Sequence, residues 1–212
     1  MRDCDRIHLD VTAWHEAGHL VAALFEGYTV YEVEASPVRP GNGVTRLMHR
    51  RRPTRFDPAL GVGNGRLAWA ESVARVQREM RVFLAGPLAE AKVLGKPLRA
   101  LGARSDLDHC KAMAKRLLML WGDFGVHQGA TRPRPHALMN QERARMRRWI
   151  AQPRVWSLVT TYAEILSSEC YLDQSDIQRI LNNHDAAHGQ RGLDLLPRGG
   201  WGNTTVKRLE AA

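Results

Sequence analysis

Apolar residues recur every three or four positions in several stretches of the chain, the spacing that places them on one face of a helix. The first stretch is predicted to be a helix with Asp10 as its N-cap and Gly27 as its stop. The second covers residues 66–94 and is interrupted by Gly86 and Pro87. A proline at this point predicts either a kink or the start of a second helix.

Helical spacing continues in the second half of the chain. Ser105 followed by Asp108 resembles a capping box that opens a helix, and Gly122 is the residue expected to end it. Two or three short helices are predicted between residues 139 and 183. The glycine-containing segment 184–212 shows no periodicity and is expected to be a flexible tail, which leaves residues 1–183 as the predicted domain.

Residues 28–38 follow a different pattern, in which β-branched and aromatic residues are frequent and alternate in period two. This alternation predicts a half-buried strand that places three residues on one face: Tyr31, Val33 and Ala35. Asn42 and Gly43 form a strong hairpin turn signal, and residues 44–49 are the predicted returning strand. The chain is therefore expected to be mainly α-helical with one small β-hairpin.

The composition fits one compact domain with a substantial core, since the 212 residues are 44% hydrophobic. No uninterrupted apolar run approaches the length of about 18 residues that a membrane-spanning helix needs, so no span is expected. The N-terminus is charged where a signal peptide would be apolar. Cys4, Cys110 and Cys170 are widely spaced and odd in number, which argues against a disulfide scaffold and favours a cytoplasmic protein.

The chain is basic, with 31 Lys and Arg against 22 Asp and Glu and a formal net charge of +9. Such a balance favours acidic partners, nucleic acid among them. The positive charge is concentrated in residues 46–55 and 142–154, which read as a solvated loop and as the outer face of a helix. No helix-turn-helix, RNA-binding or zinc-finger pattern accompanies it, so nucleic-acid binding is the weaker alternative.

The strongest chemical signal is the HEAGH pattern formed by His15, Glu16 and His19. Histidines four residues apart share one face of a helix, so their ring nitrogens can converge on one ion. A carboxylate beside the first histidine can act as a base without being a ligand, which is what a zinc hydrolase requires. The pattern alone also fits a buried helix with two incidental histidines, but the small Gly18 would let another segment approach the site.

Three further segments resemble, in the same order, parts of the peptidase domain of the FtsH family, the membrane-bound AAA zinc proteases. Residues 85–90 (AGPLAE) are similar to the family's AGRAAE-like motif, and residues 102–107 (GARSDL) to its GAxxD[LI] motif. Residues 158–181 are similar to its closing pair of helices. With HEAGH the resemblance extends over about residues 8–182, which is far more specific than the short metal motif.

This resemblance implies a zincin-like helical domain in which the HExxH helix packs into a bundle. It also implies that His15, His19 and Asp106 bind Zn2+ and that Glu16 is the general base. The reasoning from residues agrees for Asp106, because a carboxylate in the first turn of a helix is favourably placed by the helix dipole.

Other residues compete for the position of the third ligand. Asp108 could bind the metal or only cap the helix, and His109 is a further possible donor. Glu90 is a candidate buried acid, although we expect it to orient a ligand histidine rather than to bind the metal. The resemblance favours Asp106 over all three.

The chain also departs from the family pattern. It contains no GxxxxGK[ST] phosphate-binding loop and no AAA module, and Pro87 stands where the family motif has arginine. Pro87 is expected to bend the helix and shift Glu90. The segment after Gly125 is short and proline-rich, so the contacts of a hexamer are expected to be lost.

We therefore expect a stand-alone zinc-dependent metallopeptidase that cleaves unfolded proteins or peptides. It would act without its own ATPase, or with a separate ATPase in trans. Two alternatives stay open: a catalytically weak zinc-binding regulatory or interaction module, and a basic nucleic-acid-associated protein.

Overall fold

The computed structural model describes residues 3–36, 42–48, 63–98, 104–124 and 134–187. Their elements in chain order are helix α1 (Asp3–Phe25), strands β1 (Thr29–Ala35) and β2 (Gly43–Met48), helices α2 (Gly65–Leu94), α3 (Arg104–Phe124), α4 (Pro135–Ile150) and α5 (Pro153–Glu169), strand β3 (Tyr171–Asp173) and helix α6 (Gln174–Ala187). The prediction of a mainly helical chain with a small β element is confirmed. None of the described helices is long and apolar enough to cross a membrane.

Helix α1 is the centre of the fold and packs against α2, α5 and the sheet. It begins at Asp3, so Asp10 lies inside the helix and the predicted N-cap is wrong. The end of the helix is as predicted, because Gly27 takes the left-handed conformation (φ 78°) that closes a helix C-terminus. Its buried face consists of small and branched side chains: Ala13, Ala17, Leu20, Val21 and Ala23.

Helix α2 runs without a break from Gly65 to Leu94 and contains Pro87 in its interior. It crosses α1 closely at Gly18, where an added Cβ would lie 2.6 Å from the carbonyl oxygen of Ala85. That separation is shorter than any side chain tolerates, so the two helices can approach this far only with glycine at position 18. This contact brings the second histidine of the motif against α2.

The start of α3 differs from the prediction. The helix begins at Arg104, one residue before Ser105, and Asp108 pairs with Lys111 at 2.7 Å. The predicted capping box is therefore wrong, and the side chain of Asp108 belongs to the exposed surface of the helix. Gly122 lies inside α3 rather than at its end.

The predicted short helices in the C-terminal half are α4, α5 and α6. Helix α6 continues through the buried His184 to Ala187, beyond the predicted domain boundary at residue 183. The remainder of the predicted tail, residues 188–212, lies outside the described residues. The short strand β3, between α5 and α6, was not predicted.

The three strands form an antiparallel sheet in the order β2-β1-β3, which confirms the predicted β1–β2 hairpin. A register shift between Val30 and Glu32 breaks the predicted alternation. Because of this bulge, Val30 is 2% exposed and packs in the core, whereas Tyr31 is 39% exposed. The central position of β1 leaves β2 as a free edge among the described residues.

A buried ion-pair network ties three helices together. The Arg81 guanidinium on α2 donates to Glu26, just beyond the end of α1, and to Glu142 on α4, at 2.9 and 3.1 Å. Burial raises the pKa of Glu142, an effect that the nearby Arg81 opposes. Part of the basic segment 142–154 therefore belongs to the core and its packing rather than to a solvated face.

Candidate metal centre

The two histidines of the HEAGH pattern converge on one point beside α3. His15 and His19 lie one helical turn apart on α1, and their Nε2 atoms are 3.1 Å from each other. Asp106, in the first turn of α3, places its Oδ2 atom 3.0 Å from Nε2 of His15 and 3.7 Å from Nε2 of His19. Thus residues that are far apart in sequence supply three potential ligand atoms to one cluster.

The other ring nitrogen of each histidine is held by a hydrogen bond. Nδ1 of His19 donates to the carbonyl oxygen of Val82 at 2.8 Å, and Nδ1 of His15 donates to Oε2 of Glu90 at 3.0 Å. Both acceptors lie on α2. Such outer contacts fix the tautomer and the rotation of a ligand histidine and leave its Nε2 lone pair for a metal.

These assignments create an electrostatic problem that a cation solves. With the protons on Nδ1, two Nε2 lone pairs and a carboxylate oxygen face one another at 3.0–3.7 Å in a largely buried space. Three electron-rich atoms repel at such distances unless positive charge lies among them. The cluster is therefore built to hold either a proton or a metal ion.

The pKa values of the cluster reflect the proton-bound alternative. Burial lowers the pKa of His15, but its hydrogen bonds with Asp106 and Glu90 outweigh burial and raise that pKa to about 9. Burial would raise the pKa of Asp106, yet its contacts with His15 and His19 hold that pKa well below its usual range. Without a metal, a protonated His15 supplies the positive charge.

The spacing and chemistry of the cluster also suit a metal. In a tetrahedral site with metal–ligand distances of about 2.0–2.1 Å, ligand atoms are about 3.3 Å apart. The separations among His15, His19 and Asp106 lie on both sides of that value. Two imidazoles and one carboxylate are a ligand set typical of zinc sites that keep one position open.

Glu16 lies next to this cluster without belonging to it. Its side chain is buried, at 5% exposure, and its negative charge contributes to the raised pKa of His15. Its Oε2 atom accepts a hydrogen bond of 2.6 Å from the hydroxyl of Thr45 on β2. The carboxylate of Glu16 therefore lies against β2 and is not among the three converging ligand atoms.

The competing candidates for the third ligand position lie elsewhere. Asp108 is exposed and paired with Lys111. His109 is also exposed, hydrogen-bonds through Nδ1 with the carbonyl oxygen of Ser105 at 3.0 Å, and stacks on Phe83. Cys110, on the same helix, is buried, and burial raises its pKa to about 12, so it stays a neutral thiol.

Sequence reasoning missed three contributors to the site. The Val82 carbonyl carries no side-chain signal, and Thr45 reads only as a strand residue. Gly86 was interpreted together with Pro87 as a helix interruption. In the structure an added Cβ at Gly86 would lie 2.4 Å from Nε2 of His19, so this glycine makes room for the imidazole.

Gly86→Ala is expected to weaken metal binding at the cluster by at least the roughly 10–100-fold that disturbing a ligand's orientation costs. The new methyl group would overlap the ring of His19 and force it to move. Gly122→Ala is the matched control, because α3 leaves open space around its Cβ. Zinc affinity measured by chelator competition checks the result, and equal affinities for the two variants would contradict it.

The basic segments show no comparable arrangement among the described residues. Arg46 pairs with Glu32 across the hairpin, and residues 49–55 lie outside the described part of the chain. In the segment 142–154, Glu142 is fully buried between arginines. In these contacts the arginines form ion pairs within the protein. They give no specific support for nucleic-acid binding.

Comparisons with known proteins find a similarity to a protease over part of the chain. No protein-family model matches the chain. Over 120 residues, or 57% of its length, the chain is 31% identical to the ATP-dependent zinc metalloprotease YME1L1 of Mus musculus and to that of Homo sapiens. The matched part covers only 15% of the mouse protein and 14% of the human protein. The chain is thus partially similar to a zinc metalloprotease.

Proposed function

We propose that the chain is a zinc-dependent metalloendopeptidase that hydrolyses peptide bonds in unfolded proteins or peptides. His15, His19 and Asp106 would hold the zinc ion, and Glu16 would be the general base. The partial similarity to an ATP-dependent zinc metalloprotease and the motif resemblance to the FtsH family support this proposal.

The observation that carries the proposal is the convergence of three possible ligand atoms, two of which belong to histidines that are held from outside the cluster. His15 and His19 are each held by a hydrogen bond through Nδ1, which fixes the orientation of the ring and directs Nε2 into the cluster. A purely structural site has no need for a buried carboxylate beside it, yet Glu16 is buried there. The combination of ligands and base favours hydrolysis over simple metal storage.

When bound, zinc would supply Lewis-acid chemistry that polarises the scissile carbonyl and makes water more acidic. The residues of the chain would handle the proton. Glu16 takes it from the attacking water and then gives it to the leaving amine. Glu90 and the Val82 carbonyl keep the two imidazoles oriented while this occurs.

The edge of β2 that no other described strand covers is the proposed docking place for substrate. In the described sheet, β1 is central and paired on both sides, so it cannot accept another strand. β2 lies at the edge and contacts Glu16 through Thr45. An extended peptide that pairs with β2 would therefore run close to the base.

The test is cleavage of an unfolded protein, such as casein, by the purified chain loaded with one equivalent of zinc and without ATP. We expect slow cleavage that stops when a chelator removes the metal and returns when zinc is restored. A folded domain stable by about 5–15 kcal/mol should stay intact, because it rarely exposes an extended backbone. Gel electrophoresis and mass spectrometry of the fragments report both outcomes.

Two results would count against the proposal. Zinc-loaded protein that cleaves no unfolded substrate, with or without an added ATPase, would favour the zinc-binding module instead. Cleavage that persists after metal removal would point to a contaminant or to different chemistry. Metal content by elemental analysis belongs in every assay, because it separates an inactive site from an empty one.

A further inference from the structure

Two residues of β2 enclose the carboxylate of Glu16. The Thr45 hydroxyl donates to Oε2 at 2.6 Å, and it also lies 3.4 Å from the backbone carbonyl oxygen of Glu16. On the other side, a Cβ added to Gly43 would lie 2.5 Å from both Cγ and Oε1 of Glu16. The side chain of Glu16 therefore contacts the hydroxyl of Thr45 on one side and the backbone of Gly43 on the other.

The backbone N–H and C=O groups of the same two residues point away from β1, the strand with which β2 is paired. Across the hairpin, the N–H of Ser36 donates to the carbonyl of Asn42, whereas the N–H of Ala35 donates to Cys170 beside β3, both at 2.9 Å. Hydrogen-bond direction alternates along an antiparallel pair. Gly43, the partner of Ala35, and Thr45, two residues on, therefore point their N–H and C=O groups to the edge of β2 that no other described strand covers.

We propose that Thr45 is a positioning residue for the general base, with Gly43 as the residue that leaves room for it. The hydroxyl fixes Oε2 of Glu16 and thereby sets Oε1 as the atom that takes the proton from water. Because Gly43 and Thr45 also offer their backbone groups at the edge, a peptide paired with β2 is placed in register with the base. This inference rests on the proposed function.

The need for such a contact follows from the geometry of proton transfer. A base must lie within about 2.6–3.2 Å of the proton donor, and a misplacement of 1 Å can cost about 100-fold in rate. A glutamate side chain has several rotatable bonds, so the carboxylate of Glu16 needs an external contact to stay in one orientation. The bond from Thr45 is charge-assisted and short, as a positioning contact should be.

Thr45→Val tests the role of the hydroxyl, since valine keeps the shape and removes the donor. We expect kcat on an unfolded substrate to fall about 10–100-fold with KM changed less than about threefold, because binding at the edge uses backbone groups. Zinc content should equal that of the wild type. Thr45→Ser restores the donor and should recover most of the lost kcat, whereas Thr29→Val on β1 is the matched control and should leave kcat unchanged.

A second measurement does not depend on activity. In the metal-free protein, unfolding equilibria of Thr45→Val, Glu16→Ala and the double variant form a cycle. We expect Thr45→Val to lower the folding equilibrium constant about tenfold when Glu16 is present, the cost of losing one hydrogen bond to a charged group, and far less when Glu16 is absent. Denaturant titration measures each constant.

The outcomes separate this inference from the proposed function. An active wild type with kcat unchanged in Thr45→Val, or with Thr45→Ser as impaired as Thr45→Val, would overturn the positioning role alone. Additive effects in the cycle would show that the contact does not form, which also overturns it. A zinc-loaded wild type without any cleavage would overturn the proposed function, and the catalytic use of this contact with it.

Discussion

Glu16→Gln is expected to abolish most turnover while leaving the metal site intact. Glutamine has nearly the shape of glutamate and can still accept the hydrogen bond from Thr45, but it cannot take a proton from water. General-base catalysis contributes about 10²–10⁴-fold, so kcat should fall by at least that range. Steady-state assays on an unfolded substrate, with zinc content measured on the same samples, check the result.

The control for this variant is a glutamate of the same chemistry away from the site. Glu34 lies on β1 and is exposed, so Glu34→Gln should keep both zinc and turnover. Full activity of Glu16→Gln would remove the base from the mechanism. Loss of zinc from Glu16→Gln would instead mean that the carboxylate binds the metal, contrary to the structure, in which it lies against β2.

The helical part of the site could be predicted because local periodicity determines it. Positions 15 and 19 share a face of any helix, and α1 is helical throughout that region. The order of motifs also favoured Asp106. In the structure its carboxylate contacts His15, although the two residues are 91 positions apart in the sequence. Periodicity alone could not select it from Asp108 and His109, since neighbours on one helix differ only in direction.

What could not be predicted depends on long-range packing. The bulge at Val30 moves Tyr31 to the surface, and a bulge leaves no mark in an alternating pattern. Pro87 was expected to bend α2 and shift Glu90. In the structure α2 continues as one helix through Pro87, so the predicted alternative of a second helix that starts there is wrong, and Glu90 reaches His15.

Contacts made by backbone atoms and by short strands were also beyond the sequence. β3 has three residues, too few to show alternation, and yet it makes β1 central and leaves β2 as the edge. The hydrogen bond between Thr45 and Glu16 joins residues that are 29 positions apart. It follows from where the sheet packs on α1, which no single-sequence pattern reports.

A graded series of substitutions should separate the ligands from the residues that orient them. Asp106→Asn replaces the charged carboxylate of the cluster with a neutral amide, and His15→Ala removes an imidazole. Each is expected to weaken zinc binding by more than about 100-fold. Glu90→Gln keeps every donor and disturbs only the orientation of His15, so it should cost about 10–100-fold. Asp108→Asn alters an exposed pair with Lys111 and should leave zinc affinity unchanged.

The order of these effects carries more information than any one of them. Asp106 and Asp108 stand two residues apart on α3, so a general loss of helix stability would affect both variants alike. Competition with a chromophoric chelator measures each zinc affinity, and circular dichroism shows whether each variant is folded. If Asp108→Asn lost zinc while Asp106→Asn retained one equivalent, the assignment of the third ligand would be wrong. If Glu90→Gln lowered zinc affinity as much as Asp106→Asn, Glu90 would belong among the metal ligands. The cation would then have to lie elsewhere than among the converging atoms of His15, His19 and Asp106.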